Sequence, residues 1–238
     1  MDRTNRQVIV KNLGSIAYQE AWDLQESLFH KIVKVKLENR KLAPTHQKQI
    51  PNYLLFCEHP HVYTLGRSGS AAHLLANRET LQKQGVDFYE TNRGGDITYH
   101  GPGQLVVYPI LDLENFFTDI HRYLRLLEEA VIATLQDFGL RGGRMEGLTG
   151  VWLHHENNLQ AAKLCAIGVR TSRWVTMHGL ALNVNTDLSY FEQIVPCGIQ
   201  GKKVTSMAAA LGTSQDLSMV ARSLEGHLLR LFEMERVQ

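Results

Sequence analysis

The chain has 238 residues, of which 44% are hydrophobic and 21% are charged, a composition typical of a globular protein with a substantial buried core. Its formal net charge of +1 is too balanced for a protein whose main task is binding the nucleic-acid backbone. No window resembles a signal peptide or approaches the roughly eighteen apolar residues of a membrane span, so we expect a cytoplasmic protein. The three cysteines form no CxxC pair, which argues against a disulfide framework and a cysteine-rich zinc site.

Hydrophobic spacing predicts strands and helices that alternate along the chain. Strands are expected at about 7–13, 53–57, 62–65, 87–91, 104–111, 149–154, 160–170 and 174–185. Helices are expected at about 16–41, 78–85, 118–138 and 216–234. No linker or internal repeat divides the chain. We therefore predict one α/β domain of the α+β type over residues 1–238, with helices flanking a mixed, mostly antiparallel sheet and a small C-terminal helical part over about 204–238.

Of the three cysteines, Cys197 is the best placed for nucleophilic chemistry. Cys57 and Cys165 lie in the apolar, strand-like runs YLLFC and KLCAIGV, which are typical of buried thiols. Cys197 lies in the sequence VPCGI, where proline and glycine predict a turn that presents the thiol. Because a thiol with a pKa of about 8.5 is mostly protonated at neutral pH, a nucleophilic cysteine requires a nearby cation or base.

Lys163 could supply that cation. It lies in the strand-like run AAKLCAIG without a charged neighbour within four residues, so it either points to solvent or faces a site. If Lys163 and Cys197 meet, the ammonium stabilises the thiolate, and the neutral amine can take a proton from an incoming nucleophile. The two-residue period of a strand also places Cys165 on the face of Lys163, so a pair of Lys163 and Cys165 is an alternative.

The segment RGGDITYHGPGQ, residues 93–104, holds four glycines around few polar side chains. It lacks both the GxGxxG fingerprint of dinucleotide sites and the GKS or GKT of a phosphate loop. A second RGG at residues 141–143 does not make a disordered nucleic-acid-binding tract in so apolar a chain. The histidine-rich runs CEHPH and HHE lack a third ligand at metal-binding spacing, so we expect no metal site.

Five motifs match one known family. They are RGGDITYHGPGQLVVYP at 93–109, GVW at 150–152, AAKLCAIGVR at 161–170, RWVTMHGLALNVNTDL at 173–188 and PCGI at 196–199. On these motifs the chain resembles the lipoyl(octanoyl) transferases of lipoate biosynthesis, from about residue 53 to about residue 207. The resemblance implies the fold of biotin and lipoate ligases and a reaction without a cofactor. In that reaction an octanoyl group moves from octanoyl-acyl carrier protein to a lysine of a lipoyl domain, in 2-oxo acid dehydrogenases or in the glycine cleavage H protein.

The resemblance also implies roles for particular residues. Cys197 would carry the acyl group, Lys163 would tune that thiol, and Cys165 would have no role. The implied substrate contacts are Arg93, Gly94, Gly95, Asp96, Ile97, Thr98, Tyr99, His100, Ala166, Ile167, Gly168, Gly179, Leu180 and Ala181. Met177 stands where the family commonly has an aromatic residue, so the preferred acyl length does not follow from the resemblance.

Two other functions are alternatives. An ATP-dependent lipoate or biotin ligase of the same fold would activate a free acid as its adenylate and would need no nucleophilic cysteine. A non-catalytic carrier-protein or RNA-binding module would tolerate replacement of both Lys163 and Cys197. Because the protein partners implied by the resemblance are acidic, basic residues are candidates for docking them, namely Arg141, Arg144, Arg170, Arg173, Lys202 and Lys203.

Overall fold

The computed structural model describes residues 5–153, 161–195 and 203–237 of the chain. Its strands are β1 (Gln7–Ser15), β2 (Asn52–Glu58), β3 (Val62–Leu65), β4 (Asp87–Glu90), β5 (Ile97–His100), β6 (Gln104–Ile110), β7 (Gly142–Met145), β8 (Leu148–Leu153), β9 (Ala162–Ser172), β10 (Val175–Asn183), β11 (Lys203–Val204) and β12 (Glu235–Val237). Its helices are α1 (Tyr18–Asn39), α2 (Arg78–Lys83), α3 (Ile120–Asp137), α4 (Met207–Leu211) and α5 (Leu217–Leu231). None of the described helices is both long and apolar enough to cross a membrane.

A mixed sheet of nine strands forms the centre of the fold. Eight of its strands follow the order β12-β1-β2-β6-β10-β9-β8-β7, and β11 pairs with β9. The run from β2 to β7 is antiparallel, whereas β1 pairs in parallel with both β2 and β12 and β11 is parallel to β9. The predicted fold class, a mostly antiparallel mixed sheet flanked by helices, is therefore confirmed.

Helices cover both faces of the large sheet, and their apolar residues recur at helical spacing. On one face, Leu127 and Val131 of α3 and Leu224 and Leu228 of α5 belong to one buried cluster with the strands. On the other face, α1 buries Ile32 with its neighbours against β2, β6 and β10. The C-terminal residues thus pack into the main core, and β12 extends the sheet beside β1.

Aspartates fix the starts of the two helices on the first face. The Asp119 carboxylate accepts the backbone N–H of Arg122 at 3.0 Å, and Asp216 accepts that of Ser218 at 2.8 Å. Such capping replaces hydrogen bonds that the first turn of a helix lacks. The sequence predicted both helix starts within two residues from the spacing of their apolar residues.

A second, three-stranded sheet has the order β4-β3-β5. The tyrosines of β3 and β5, Tyr63 and Tyr99, are fully buried in a separate cluster that includes Ile194. Sequence patterns did not predict β5, because its four residues lie in the glycine-rich segment 93–104. They also missed β7, β11, β12 and α4, none of which is longer than five residues. Such short elements form through tertiary pairing, and they carry little periodic signal of their own.

Candidate functional site

A cavity of about 400 Å³ lies where β9 and β10 of the large sheet meet the segment 93–100 and the β7–β8 turn. One wall consists of Ala166, Ile167 and Gly168 on β9 and of Gly179–Ala181 on β10. Gly147 of the β7–β8 turn and the first two residues of β8, Leu148 and Thr149, also line the cavity. Since small and apolar residues dominate these walls, the cavity suits an apolar chain with few polar contacts.

The cavity brings together twelve of the fourteen predicted substrate contacts. They are Arg93, Gly95, Asp96, Ile97, Thr98, His100, Ala166, Ile167, Gly168, Gly179, Leu180 and Ala181. Gly94 is not among the lining residues, but its N–H donates to the Val169 carbonyl at 2.9 Å and so holds the loop against β9. The Tyr99 side chain faces the other way, stacks on Tyr190 with ring centroids 4.7 Å apart and bonds His61 through its hydroxyl.

Two glycines let the backbone approach closely at this site. A Cβ atom on Gly168 would lie 2.7 Å from the Gly94 carbonyl oxygen, and one on Gly179 would lie 2.7 Å from Cδ of Pro109. Real Cβ atoms do not occupy such positions, so any side chain would push the loop or β6 away. Glycine at these two positions therefore serves the packing of loop and strand as well as the shape of the cavity.

Arg93 is a buried cation at the cavity wall, with 7% of its surface exposed. Its guanidinium donates to the Thr64 carbonyl at 2.6 Å, to the Thr64 hydroxyl at 2.9 Å and to the Gly94 carbonyl at 3.1 Å. These bonds tie the start of the glycine-rich segment to β3. Arg93 also places a positive charge near the buried histidines of the cavity.

Two buried histidines of the cavity, His100 and His178, are neutral. The pKa of His100 is lowered to about 3, first by burial and then by the His59 ring and the Arg93 charge. The pKa of His178 is also lowered to about 3, by burial and then by the charges of Arg93 and Arg170. The His100 Nδ1 atom contacts the Gln104 Oε1 atom at 2.7 Å, and the His178 Nε2 atom contacts the Asn92 Oδ1 atom at 2.7 Å. Neutral rings give the cavity hydrogen-bonding groups without added positive charge.

Several lining residues were not predicted from sequence, among them Tyr18, Gln104, Tyr108, His178 and Asn183. His178 has a φ of 58°, a conformation that non-glycine residues rarely adopt, and its N–H donates to the Gln25 side chain at 2.9 Å. Its position beside Gly179 in the motif MHGL was the one sequence signal available. Tyr18 lies far from every motif, and only the packing of α1 brings it to the cavity.

Lys163 faces the cavity rather than the helical core. Its Nζ atom lies 4.7 Å from the ring centroid of Trp152, a distance typical of a cation–π contact. Along β8 and β9, Val151 pairs with Cys165 whereas Trp152 pairs with Lys163. Moving by one residue along β8 thus corresponds to moving by two residues along β9. Leu164, which lies between Lys163 and Cys165, is therefore the extra residue of a β-bulge.

The bulge overturns the expectation that Lys163 and Cys165 share a face. Cys165 belongs to the core cluster beneath α3 and α5 and is completely buried, and burial raises the pKa of its thiol. The two-residue period does not hold across an inserted residue, so Cys165 points to the opposite side of the sheet. A pair of Lys163 and Cys165 is therefore excluded. Cys57 is buried too, as its apolar surroundings predicted.

Cys197 and Lys202 lie outside the described residues, but the chain on both sides of them is described. Before them, the Val195 N–H donates to the His73 carbonyl at 2.8 Å. After them, Val204 of β11 pairs with Lys163. His73, Val204 and Lys163 all line the cavity. The segment that carries Cys197 is thus anchored to the cavity at both of its described ends.

The basic residues considered for docking differ in their surroundings. Arg144 contacts the buried carboxylate of Glu128 at 2.9 Å, and Arg170 contacts Glu26 at 2.9 Å, so these two arginines serve the packing of the chain itself. The exposed basic residues of the set are Arg141, Arg144, Arg173 and Lys203. Within the described residues, no cluster of three or more histidine, cysteine and acidic side chains could hold a metal ion.

Comparison with known proteins agrees with this geometry. The family described as lipoyl protein ligase A/B catalytic domain matches residues 17–229. An octanoyltransferase of Cytophaga hutchinsonii is 57% identical over 231 residues, which cover 97% of this chain and 95% of the relative. One of Flavobacterium johnsoniae is 56% identical over 236 residues, which cover 98% of this chain and all of the relative.

The fold is similar to that of solved lipoate ligases. A bipartite lipoate protein ligase from Thermoplasma acidophilum superimposes with a TM-score of 0.65 at 17% identity, covering 98% of this chain and 87% of the other. A lipoate-protein ligase A with bound ATP gives a TM-score of 0.63 at 16% identity, covering 98% and 90%. The fold is thus that of the lipoate protein ligases. The chain belongs to the lipoyl protein ligase A/B catalytic-domain family, and its similarity to the octanoyltransferases of that family shows an acyltransferase.

Proposed function

We propose that the chain transfers an octanoyl group from octanoyl-acyl carrier protein to a lysine of a lipoyl domain through a thioester on Cys197. The observation that carries this proposal is the cavity, in which small and apolar walls surround Lys163. An acyl chain that enters it gains about 0.8 kcal/mol for each methylene removed from water. The cavity therefore supports an acyl substrate rather than a polar one.

The reaction would proceed in two transfers. The Cys197 thiolate attacks the carbonyl carbon of the donor thioester, the new carbon–sulfur bond forms, and the donor thiol leaves after taking a proton from the Lys163 ammonium. The lysine of the acceptor then attacks the enzyme thioester, Lys163 takes the surplus proton of the amine, and Cys197 leaves as thiolate. Because a thioester is converted to an amide, the sequence needs neither ATP nor a cofactor.

Two features of the described chain support these roles. Lys163 faces the cavity, and Cys197 follows Val195 by two residues; the Val195 N–H donates to the His73 carbonyl at the cavity wall. Two residues of chain span at most about 7 Å, so Cys197 is within reach of the cavity. The acceptors that we propose are lipoyl domains of 2-oxo acid dehydrogenases and the glycine cleavage H protein. A cytoplasmic location stays a prediction from the sequence.

Intact mass spectrometry tests the covalent step. After incubation with octanoyl-acyl carrier protein, the protein should gain one octanoyl group that hydroxylamine removes. Cys197→Ala should abolish the gain, and Lys163→Met should slow it by at least tenfold. Cys165→Ala is the matched control, because that thiol is buried in the core, and it should acylate normally.

The opposite results would favour the alternatives. Octanoate-dependent consumption of ATP that persists in Cys197→Ala would indicate a ligase that forms an adenylate. Unchanged function in both Cys197→Ala and Lys163→Met would indicate a non-catalytic binding module.

A further inference from the structure

Asp96 and His73 lie in close contact at the cavity wall. The His73 Nδ1 atom lies 2.6 Å from the Asp96 Oδ2 atom, and both residues line the cavity. The ring is turned so that its N–H does not point straight at that oxygen, so the contact is a close approach of the two atoms rather than a linear hydrogen bond. The side chain of His73 is 29% exposed and that of Asp96 is 10% exposed, so both lie at the edge of the cavity and not in its interior.

Local structure holds both partners in place. The other carboxylate oxygen of Asp96, Oδ1, accepts the N–H of Ile97 at 2.7 Å. Gly69 leaves room for this carboxylate, because a Cβ atom there would lie 2.5 Å from Oδ1. The backbone of His73 is bound on both sides: its N–H donates to Ser70 at 2.9 Å, and its carbonyl accepts from Val195 at 2.8 Å. The pair is therefore preorganised before any substrate arrives.

The pair leaves one acceptor atom available. A carboxylate only accepts hydrogen bonds, so the His73 nitrogen next to it, Nδ1, carries the proton, and Nε2 retains a lone pair. In the described part of the chain, Nε2 has no hydrogen-bonding partner. An acceptor nitrogen backed by a negative carboxylate suits a cationic N–H donor.

The charges of the cavity explain why an acidic side chain is needed there. Among the described lining residues, Asp96 is the only acidic side chain, whereas Arg93 is a cation throughout and Lys163 becomes a neutral amine once it has given its proton to the donor thiol. The acceptor of the proposed reaction is itself a cation, because a lysine side chain is protonated at neutral pH. It must enter a cavity in which Arg93 is a permanent cation, and like charges at close range in a protein repel strongly.

We infer that Asp96 and His73 together receive the ε-ammonium group of the acceptor lysine, that His73 Nε2 takes its first proton, and that the neutral amine so formed attacks the thioester while Lys163 takes the second proton. Before that transfer the lysine donates one N–H to His73 Nε2, and the Asp96 charge offsets the repulsion from Arg93. This inference rests on the proposed function and adds to it a site for the second substrate. The segment 93–100 would then have two roles. Asp96 binds the amine of the acceptor, whereas the glycines of the segment border the acyl chain.

The test compares a cationic with an uncharged nucleophile on the same acyl-enzyme. Wild type, Asp96→Asn and His73→Gln are first acylated with octanoyl-acyl carrier protein, freed of donor, and then mixed with either an unmodified lipoyl domain or hydroxylamine, which is uncharged at neutral pH. Loss of a charged hydrogen bond predicts a transfer to the lipoyl domain that is about 10- to 100-fold slower in Asp96→Asn. Acylation by the donor and release by hydroxylamine should stay within about twofold of wild type, and the double variant should be no slower than Asp96→Asn.

Asp87→Asn, at an exposed position on β4, is the matched control and should leave every rate unchanged. An equal loss with both nucleophiles, or no loss with the lipoyl domain, would overturn the inference. Failure of the proposed function looks different, because the wild-type enzyme would then gain no acyl group. In that case the same variants are compared in overall transfer, where the inference requires Asp96→Asn to raise the KM for the lipoyl domain and not the KM for the donor.

Discussion

The two buried histidines of the cavity should make the stability of the protein depend on pH in a calculable way. His100 is 6% exposed and His178 is 1% exposed, and burial lowers the pKa of each to about 3. In the unfolded chain both return to a pKa of about 6.5. Between these values the native rings are neutral, whereas the unfolded ones are protonated.

The sign and size of the effect follow from this difference. Below pH 6.5 the unfolded state binds more protons than the native state, so the free energy of unfolding falls as the pH falls. The stabilisation is fully present above pH 6.5 and is lost progressively toward pH 3. From pH 7 to pH 5 the free energy of unfolding should fall by about 2 kcal/mol for each histidine, and by about 4 kcal/mol for the two together.

Urea denaturation at pH 7 and pH 5 measures this loss. In His178→Gln the drop between the two pH values should shrink by about 2 kcal/mol, whatever the stability of the variant at pH 7. His121→Gln, at an exposed position on α3, should keep the full drop. A wild-type protein that is equally stable at both pH values, or a His178→Gln variant with an undiminished drop, would refute the conclusion that these rings are held neutral by burial.

Three further predictions follow from contacts around the cavity. Gly168→Ala should lower the free energy of unfolding by about 1–3 kcal/mol and slow acylation, because its Cβ would press on the Gly94 carbonyl; unchanged acylation would contradict the close packing of the loop on β9. Cys165→Ala should lower the free energy of unfolding measured in urea by about 1 kcal/mol and should leave the rate of acyl-enzyme formation unchanged. Glu128→Gln should cost about 2 kcal/mol, because this fully buried carboxylate accepts the Gly150 N–H at 3.0 Å and contacts Arg144; a variant as stable as wild type would show that these bonds contribute nothing.

The sequence predicted the elements whose signal is local. The apolar stripes of α1, α3 and α5 repeat over many turns, and aspartates mark the starts of α3 and α5. The long strands of the large sheet were predicted for the same reason, since each is a continuous apolar or alternating run. The short strands were missed, because β11 and β12 exist only through their partners β9 and β1.

The sequence by itself determined the family, through motifs that extend over most of the chain, and with it the residues expected around an acyl substrate. Only the tertiary structure decided which side chains meet. The bulge at Leu164 sends Cys165 into the core and leaves Lys163 at the cavity, although the two lie only two positions apart. His73 and Asp96 are 23 residues apart in the chain and meet at 2.6 Å. A strand pattern carries no mark of an inserted residue, and a pairing across loops depends on the whole fold, so neither could be predicted from composition or spacing.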